Sequence, residues 1–150
     1  MHVLLRVGER SSGEAAFEPV HALPLRGRQY LLEFSPGLAY GLAAGDEFEL
    51  ADDGTYQILK RGRNIAVRVF FDQPIQQRSQ ELTSLVLALG GRLDGSTNQG
   101  LAYTIPIEAG FKAIESVFTA FVEANQSTIW EFGNVYADDG RPLNWWQSDA

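Results

Sequence analysis

The hydrophobic pattern changes its period near residue 71, and this change constrains the fold more than any other feature of the sequence. In the first 71 residues, short apolar stretches alternate with polar residues and are separated by Gly, Pro and Asp turns. Asn64–Phe71 is the clearest example, because Ile65, Val67 and Val69 recur at every second position. An alternating pattern of this kind is typical of β-strands. Six such stretches predict a small barrel or a strongly curled sheet.

After residue 71, apolar residues recur at helical spacing in two segments. The first runs from Leu82 to Leu89, where the i, i+3, i+4 and i+7 positions are apolar, and Gly90 and Gly91 follow it as a cap would. The second helix is predicted over about 108–124, and strands are predicted at 64–71, 92–94, 101–105 and 128–136.

The resulting element order over 64–150 is β-α-β-β-α-β, the order of the ferredoxin-like split βαβ arrangement. Both helices are then expected to cover one face of an antiparallel sheet. The sequence therefore predicts an α+β chain in two parts. A strand-rich, barrel-like subdomain at 1–63 packs on a ferredoxin-like subdomain at 64–150, which ends in an aromatic tail.

Composition and charge exclude several classes of function. The chain has no cysteine, which excludes disulfides, thiolate catalysis and Cys-ligated metals. Its net charge is −7, and the residues after 71 carry −6 of it, from four basic and ten acidic side chains. A surface this acidic repels phosphate backbones and anionic lipids. We therefore expect neither nucleic acid nor a membrane as a partner. A basic protein is the expected partner, although acidic surfaces also serve solubility alone.

The sequence offers no recognisable catalytic or metal-binding set. His2 and His21 are its two histidines, and neither has a serine or acidic partner at a telling spacing. Catalysis by carboxylates alone would need a pocket that holds two of them with separated pKa values. We therefore predict a non-enzymatic protein with no cofactor and no metal. We expect it in the cytoplasm, because the first residues do not resemble a signal peptide and no apolar run is long enough for a membrane span.

The densest acidic cluster is the first candidate for partner binding. Its spacing does not fit a calcium loop, which needs oxygen ligands at alternating positions and a distal Glu. The cluster is either a docking surface for a basic partner or the solvated face of a hairpin. It consists of Asp46, Glu47, Glu49, Asp52 and Asp53.

The aromatic tail is the second candidate. Leu143, Trp145 and Trp146 occur where a frayed, polar segment is expected. Tryptophan is enriched among the residues that dominate binding energy at interfaces, so one of the pair is a candidate anchor for a partner. The alternative is that both pack on the protein's own sheet.

Several stretches resemble a bacterial family catalogued only as a domain of unknown function. These stretches are 17–22, 30–34 and 39–50, followed by 65–71. The resemblance covers most of the chain and implies an N-terminal strand-rich barrel with a C-terminal α+β half. No catalytic residue is defined for that family, so the resemblance assigns none. Small acidic cytoplasmic proteins of this sort often look like immunity proteins encoded beside toxins.

Two functions from different classes follow as hypotheses. In the first, the chain is a non-enzymatic immunity protein that neutralises a cognate bacterial toxin by occluding its active site. In the second, it is a regulatory domain that binds a small molecule in a cleft between its two halves. A protein partner that is lost at high salt would favour the first, and thermal stabilisation by a metabolite would favour the second.

Overall fold

The chain folds into two antiparallel sheets and two α-helices, described for residues 1–73 and 76–147 in a computed structural model. The predicted strand-rich α+β class is confirmed. The elements are β1 (His2–Glu9), β2 (Ala15–Arg26), β3 (Gln29–Leu32), β4 (Glu47–Leu50), β5 (Tyr56–Lys60), β6 (Asn64–Phe71), α1 (Gln76–Ala88), β7 (Arg92–Ser96), β8 (Gly100–Pro106), α2 (Phe111–Ala124) and β9 (Thr128–Phe132).

The first sheet is a meander in which β1 to β5 pair in chain order. Its inner face buries a small apolar core that includes Leu5, Leu32, Leu42 and Phe48. The tight turns fall at Gly27 and at Asp52-Asp53-Gly54, as the turn residues predict.

The predicted barrel is wrong, because within the described residues this sheet does not close. Closure requires every strand to pair on both sides, whereas β1 and β5 remain the two edges. The strands β3, β4 and β5 have only four or five residues, so they are too short to extend the ladder along the eight residues of β1. A hydrogen bond of 2.9 Å from the Arg6 N–H to the Gly54 carbonyl joins β1 to the β4–β5 turn.

The sixth predicted strand belongs to the second sheet, whose order is β7-β8-β6-β9. Strand β6 lies inside this sheet, and nearly all its side chains are buried. Its period-two apolar residues face the helices, where Leu82 of α1 and Ile114 and Phe118 of α2 complete a larger core. In the part of the chain that is described, no helix is long and apolar enough to cross a membrane.

The connection from β3 to β4, residues 33–46, lies across the other face of the second sheet. The Gly41 N–H donates to the Gly133 carbonyl at 2.8 Å, and Arg92 donates to the Glu33 carbonyl at 2.9 Å. This β3–β4 connection therefore joins the two halves and covers the face of the second sheet that the helices leave open.

Candidate functional site

Four of the five predicted acidic residues lie on the β4–β5 hairpin, and three of them have partners within the first sheet and its turns. Lys60 Nζ lies 3.9 Å from Glu47 Oε2, and the Arg28 guanidinium pairs with Asp52. The Thr55 hydroxyl donates to Asp53 Oδ1 at 2.6 Å, and this hydrogen bond lowers the pKa of the Asp53 carboxyl. The negative charge of this hairpin is therefore partly compensated by the sheet's own cations.

The fifth acidic residue, Asp46, is completely buried at the junction of the two halves. Its carboxylate accepts hydrogen bonds from the Gly62 N–H at 2.8 Å, the Ala43 N–H at 3.0 Å and Arg61 Nη1 at 3.2 Å. Burial raises the pKa of Asp46, and these three donors oppose that rise. A carboxylate without solvent exposure cannot contact a partner, so Asp46 belongs to the framework and not to an exposed acidic surface.

Both tryptophans of the tail are half-buried against the core on the helix side of the second sheet. Trp145 Nε1 donates to the Asn134 carbonyl at 2.8 Å, and the Trp146 ring lies edge-on to Phe111 at 4.9 Å. The Arg61 guanidinium that binds Asp46 also lies 5.6 Å from the Trp145 ring centroid. The structure thus brings Trp145 and Asp46 together through Arg61, on the buried side of the acidic stretch.

An open groove of about 740 Å³ runs along β9 and has aromatic walls. Trp130 and Phe132 lie with their ring centroids 5.0 Å apart, and Tyr136 continues the wall 6.3 Å beyond Phe132. Tyr40, from the β3–β4 connection, forms the opposite side, and its carbonyl accepts a 2.7 Å hydrogen bond from Tyr56. Three segments of the second half (α2, β9 and the residues after β9) and one of the first therefore build this groove.

Three carboxylates line the same groove, and its described lining contains no Lys or Arg. They are Glu115 on α2, Glu131 on β9 and Asp138 in the segment after β9. The Tyr40 hydroxyl donates to both oxygens of Glu131, at 2.8 and 2.9 Å. Burial of that hydroxyl, together with the bond to Glu131, raises the pKa of Tyr40, so it keeps its proton at neutral pH. The groove therefore offers negative charge beside aromatic faces, a combination suited to a cationic side chain.

A buried guanidinium, that of Arg68, supports the floor of the groove. Its Nη1 donates to the Ala39 carbonyl at 2.8 Å, and its Nε lies 3.2 Å from Glu131 without the alignment of a hydrogen bond. The guanidinium carbon lies 4.5 Å from the ring centroid of Tyr40. Arg68 therefore holds both Glu131 and Tyr40 in place while having only 1% of its surface exposed.

A second cavity, of about 440 Å³, lies between the two halves. Its walls are largely apolar and include Phe34 and Phe70. Two carboxylates at its margin already accept hydrogen bonds from the protein's own backbone. Asp94 accepts from the Ser35 N–H at 2.7 Å, and Glu18 accepts from three successive backbone N–H groups of the β3–β4 connection.

The two histidines occupy facing positions on β1 and β2, which their sequence spacing does not reveal. His2 Nε2 lies 3.1 Å from His21 Nε2, and both side chains are exposed. Within residues 1–73 and 76–147, no group of three or more His, Asp or Glu side chains is arranged to hold a metal ion.

The groove residues Glu115, Glu131, Asp138 and Tyr40 were not singled out by the sequence pattern. One signal for them exists, since most of the negative charge lies after residue 71 and Trp130-Glu131-Phe132 alternates aromatic and acidic side chains. No sequence pattern shows that the β3–β4 connection reaches across the sheet to complete the groove.

The two antiparallel sheets and the groove at the edge of the second define an α+β protein with a candidate binding groove. The chain belongs to the family described as Domain of unknown function (DUF4265), whose model matches residues 18–130. The match begins in β2 and ends in β9, so it includes the junction at Asp46 and most of both sheets. Membership of an uncharacterised family, as the sequence resemblance predicted, is thereby confirmed.

The fold is also similar to that of a solved hypothetical protein from Neisseria gonorrhoeae. The two chains share 16% identity with a TM-score of 0.67, over 89% of this chain and 94% of that one. At this identity the likeness establishes the fold alone. Among curated proteins, none matches this chain.

Proposed function

We propose that this chain is a non-enzymatic domain that binds a basic protein partner through the groove along β9. The observation that carries the proposal is the described lining of the groove, where Glu115 and Asp138 stand beside aromatic walls and neither Lys nor Arg takes part. The third carboxylate, Glu131, is paired with Arg68 beneath them. The excess negative charge of residues 72–150 gives the same half a field that attracts cations. Such a field accelerates association with a basic surface and makes the association sensitive to salt.

The partner in this proposal is a bacterial toxin whose basic active-site cleft is occluded by the acidic surface, and the site of action is the cytoplasm. The immunity-protein character of the family is part of the same proposal, supported by the small size and acidity of the chain. The exposed carboxylates of the β4–β5 hairpin, Glu49 foremost, would add to the field around the groove without forming its centre.

Charge reversal in the groove is expected to remove protection against the partner. Cells that produce the partner alone should stop growing, and the wild-type chain should restore their growth. A double variant, Glu115→Lys with Asp138→Lys, should restore it at least about tenfold less efficiently, because two attractive contacts become repulsive. The measurement is growth rate as a function of the expression level of the chain.

The control for this experiment changes the net charge by the same amount elsewhere. Glu108 and Glu123 are exposed and do not line the groove. The variant Glu108→Lys with Glu123→Lys should therefore protect almost as well as the wild type. Equal protection by the groove variant would contradict binding through the groove, and a partner that does not slow growth would contradict the immunity function.

The second candidate function is the binding of a small molecule in the cavity between the halves. Its largely apolar walls and its volume of about 440 Å³ fall within the range of ligand pockets. A metabolite present at 100 times its Kd should stabilise the fold by about 2.7 kcal/mol, which a thermal-shift screen detects. Stabilisation by a metabolite, with no protein partner at any salt concentration, would favour this function over the first.

The finer architecture is also part of the proposal: residues 64–150 form a ferredoxin-like subdomain, and residues 1–63 form the strand-rich subdomain packed on it. The order β7-β8-β6-β9 supports this assignment, as do the two helices packed on one face of that sheet. In such an arrangement β9 is an edge strand, which places the groove at an accessible margin of the sheet.

A further inference from the structure

The outer side of β9 is an open sheet edge in the described part of the chain. Strand β9 is the last in its sheet and pairs with β6 on its other side. The Ala66 carbonyl accepts from the Gly133 N–H at 2.7 Å and the Ala66 N–H donates to Asn134 Oδ1 at 2.9 Å, so both backbone groups of Ala66 point to the β9 side of β6. Those of Arg68, two residues on, point the same way, and Arg68 and its partner Glu131 are therefore a hydrogen-bonded pair. Hydrogen-bonded and non-hydrogen-bonded pairs alternate along an antiparallel ladder. The backbone groups of Trp130 and Phe132 therefore point away from β6, toward the open edge.

This edge and the groove coincide. Trp130 and Phe132, whose free N–H and carbonyl groups face outward, both line the groove. The side chain of Glu131 projects to the opposite face of the sheet, toward Arg68 and Tyr40. A chain lying in the groove would thus meet backbone donors and acceptors along its length and carboxylates at its sides.

Within the described residues, the edge lacks two of the features by which proteins usually protect one, although β9 is short and carries one charged residue, Glu131. The two absent features are a Lys or Pro on the strand and a β-bulge. Strand β9 contains neither Lys nor Pro, and its pairing with β6 is regular from Thr128 to Phe132. Ile129 is 65% exposed on it. An open edge with outward-facing backbone donors and acceptors is a template for a further strand.

We infer that β9 accepts an extended segment of the basic partner as an added β-strand, with Lys or Arg side chains of that segment facing the groove carboxylates. The inference rests on the proposed function and specifies its mode of binding. Backbone hydrogen bonds to Trp130 and Phe132 supply affinity that does not depend on sequence, and the carboxylates select basic side chains.

A second copy of this chain is a less suitable occupant. Pairing of two β9 edges about a twofold axis would bring the carboxylates of Glu115, Glu131 and Asp138 near their own symmetry mates. Like charges brought together at an interface disfavour the complex. Charge complementarity therefore favours a basic segment over self-association.

The test uses a capped seven-residue peptide in which lysine and valine alternate. Isothermal titration at low salt measures its affinity for the full chain, and amide shifts of Trp130 and Phe132 in nitrogen-15 NMR spectra locate it. We expect binding with shifts at both amides. We expect affinity to fall roughly tenfold or more for Glu115→Lys with Asp138→Lys, and to remain for Glu108→Lys with Glu123→Lys. A matched peptide of alternating glutamate and valine should not bind.

Backbone methylation distinguishes strand addition from charge attraction alone. Two further peptides carry N-methyl groups on the lysine residues or on the valine residues, so that each blocks the amides along one edge of the strand. Strand addition predicts that one methylated peptide loses binding and the other keeps it, because only one edge faces β9.

Several results would overturn the inference. Equal affinity of both methylated peptides and the parent would show that backbone pairing is absent, while leaving partner binding by charge intact. Failure of the parent peptide to bind would exclude strand addition, whereas the proposed function would still be decided by the protection experiment. A dimer of the chain that the peptide displaces from β9 would show that a second copy is the occupant.

Discussion

Replacement of Arg68 by alanine should lower the free energy of unfolding by about 3–4 kcal/mol, through a buried cavity and through lost hydrogen bonds. Arg68 is the largest of the fully buried side chains, so its truncation empties a large volume. The carbonyls of Ala39 and Pro36 would lose their donor in the interior. Urea denaturation of the wild type and the variant at neutral pH measures the difference.

Two milder variants define the cause of this loss. Arg68→Lys keeps the charge but cannot reach the Ala39 carbonyl and Glu131 with one planar group, so most of the loss should remain. Glu131→Gln should cost only about 1 kcal/mol, because the Glu131 side chain is 34% exposed and solvent replaces part of the ion pair. An Arg68→Ala variant within 1 kcal/mol of the wild type would contradict the role of Arg68 in joining the halves.

The second large effect is expected at Asp46. Asp46→Ala should cost about 3–5 kcal/mol, because it leaves the Arg61 guanidinium and the Gly62 and Ala43 N–H groups without their acceptor. Glu49→Ala, on the exposed side of the adjoining strand, should change stability by no more than about 0.5 kcal/mol. Equal effects of the two substitutions in urea denaturation would contradict the assignment of Asp46 to the framework.

The pH dependence of stability gives a separate test of Asp46. Because burial raises the pKa of Asp46 in the folded chain, the native state binds this proton more tightly than the unfolded state does. Its contribution is therefore fully present below the usual pKa of an aspartate and is lost as the pH rises through the raised value. The stability advantage of the wild type over Asp46→Asn should decrease over that interval. A constant advantage would show that the pKa of Asp46 is the same in the folded and unfolded states.

Local pattern was sufficient to predict the class of the fold. The period-two residues of 64–71 and the helical spacing over 82–89 both correspond to elements of the second half, since each pattern reflects one buried face. The barrel was not predictable in the same way. Whether β1 and β5 pair depends on the lengths and curvature of the strands between them, which single residues do not encode.

The candidate site was only partly accessible from sequence, because it depends on contacts between distant segments. Asp46 lies in an acidic stretch of sequence, which predicts that it is exposed, yet the Arg61-Gly62 turn covers it. Gly62 allows this approach, since a Cβ there would lie 2.5 Å from the Gly45 carbonyl carbon. Arg68 is similarly hidden, because it occupies the polar position of an alternating strand that becomes buried on both faces.

Salt-dependent co-purification tests the central claim most directly, namely that the groove along β9 binds a basic protein. Tagged wild-type chain and the variant Glu115→Lys with Asp138→Lys serve as matched baits in lysate of the native cell, each at low and at high salt. The account predicts a basic protein that co-purifies with the wild type in a fixed ratio at low salt, dissociates at high salt and does not bind the variant. Equal recovery of that protein by both baits, or no stoichiometric partner at either salt, would contradict it.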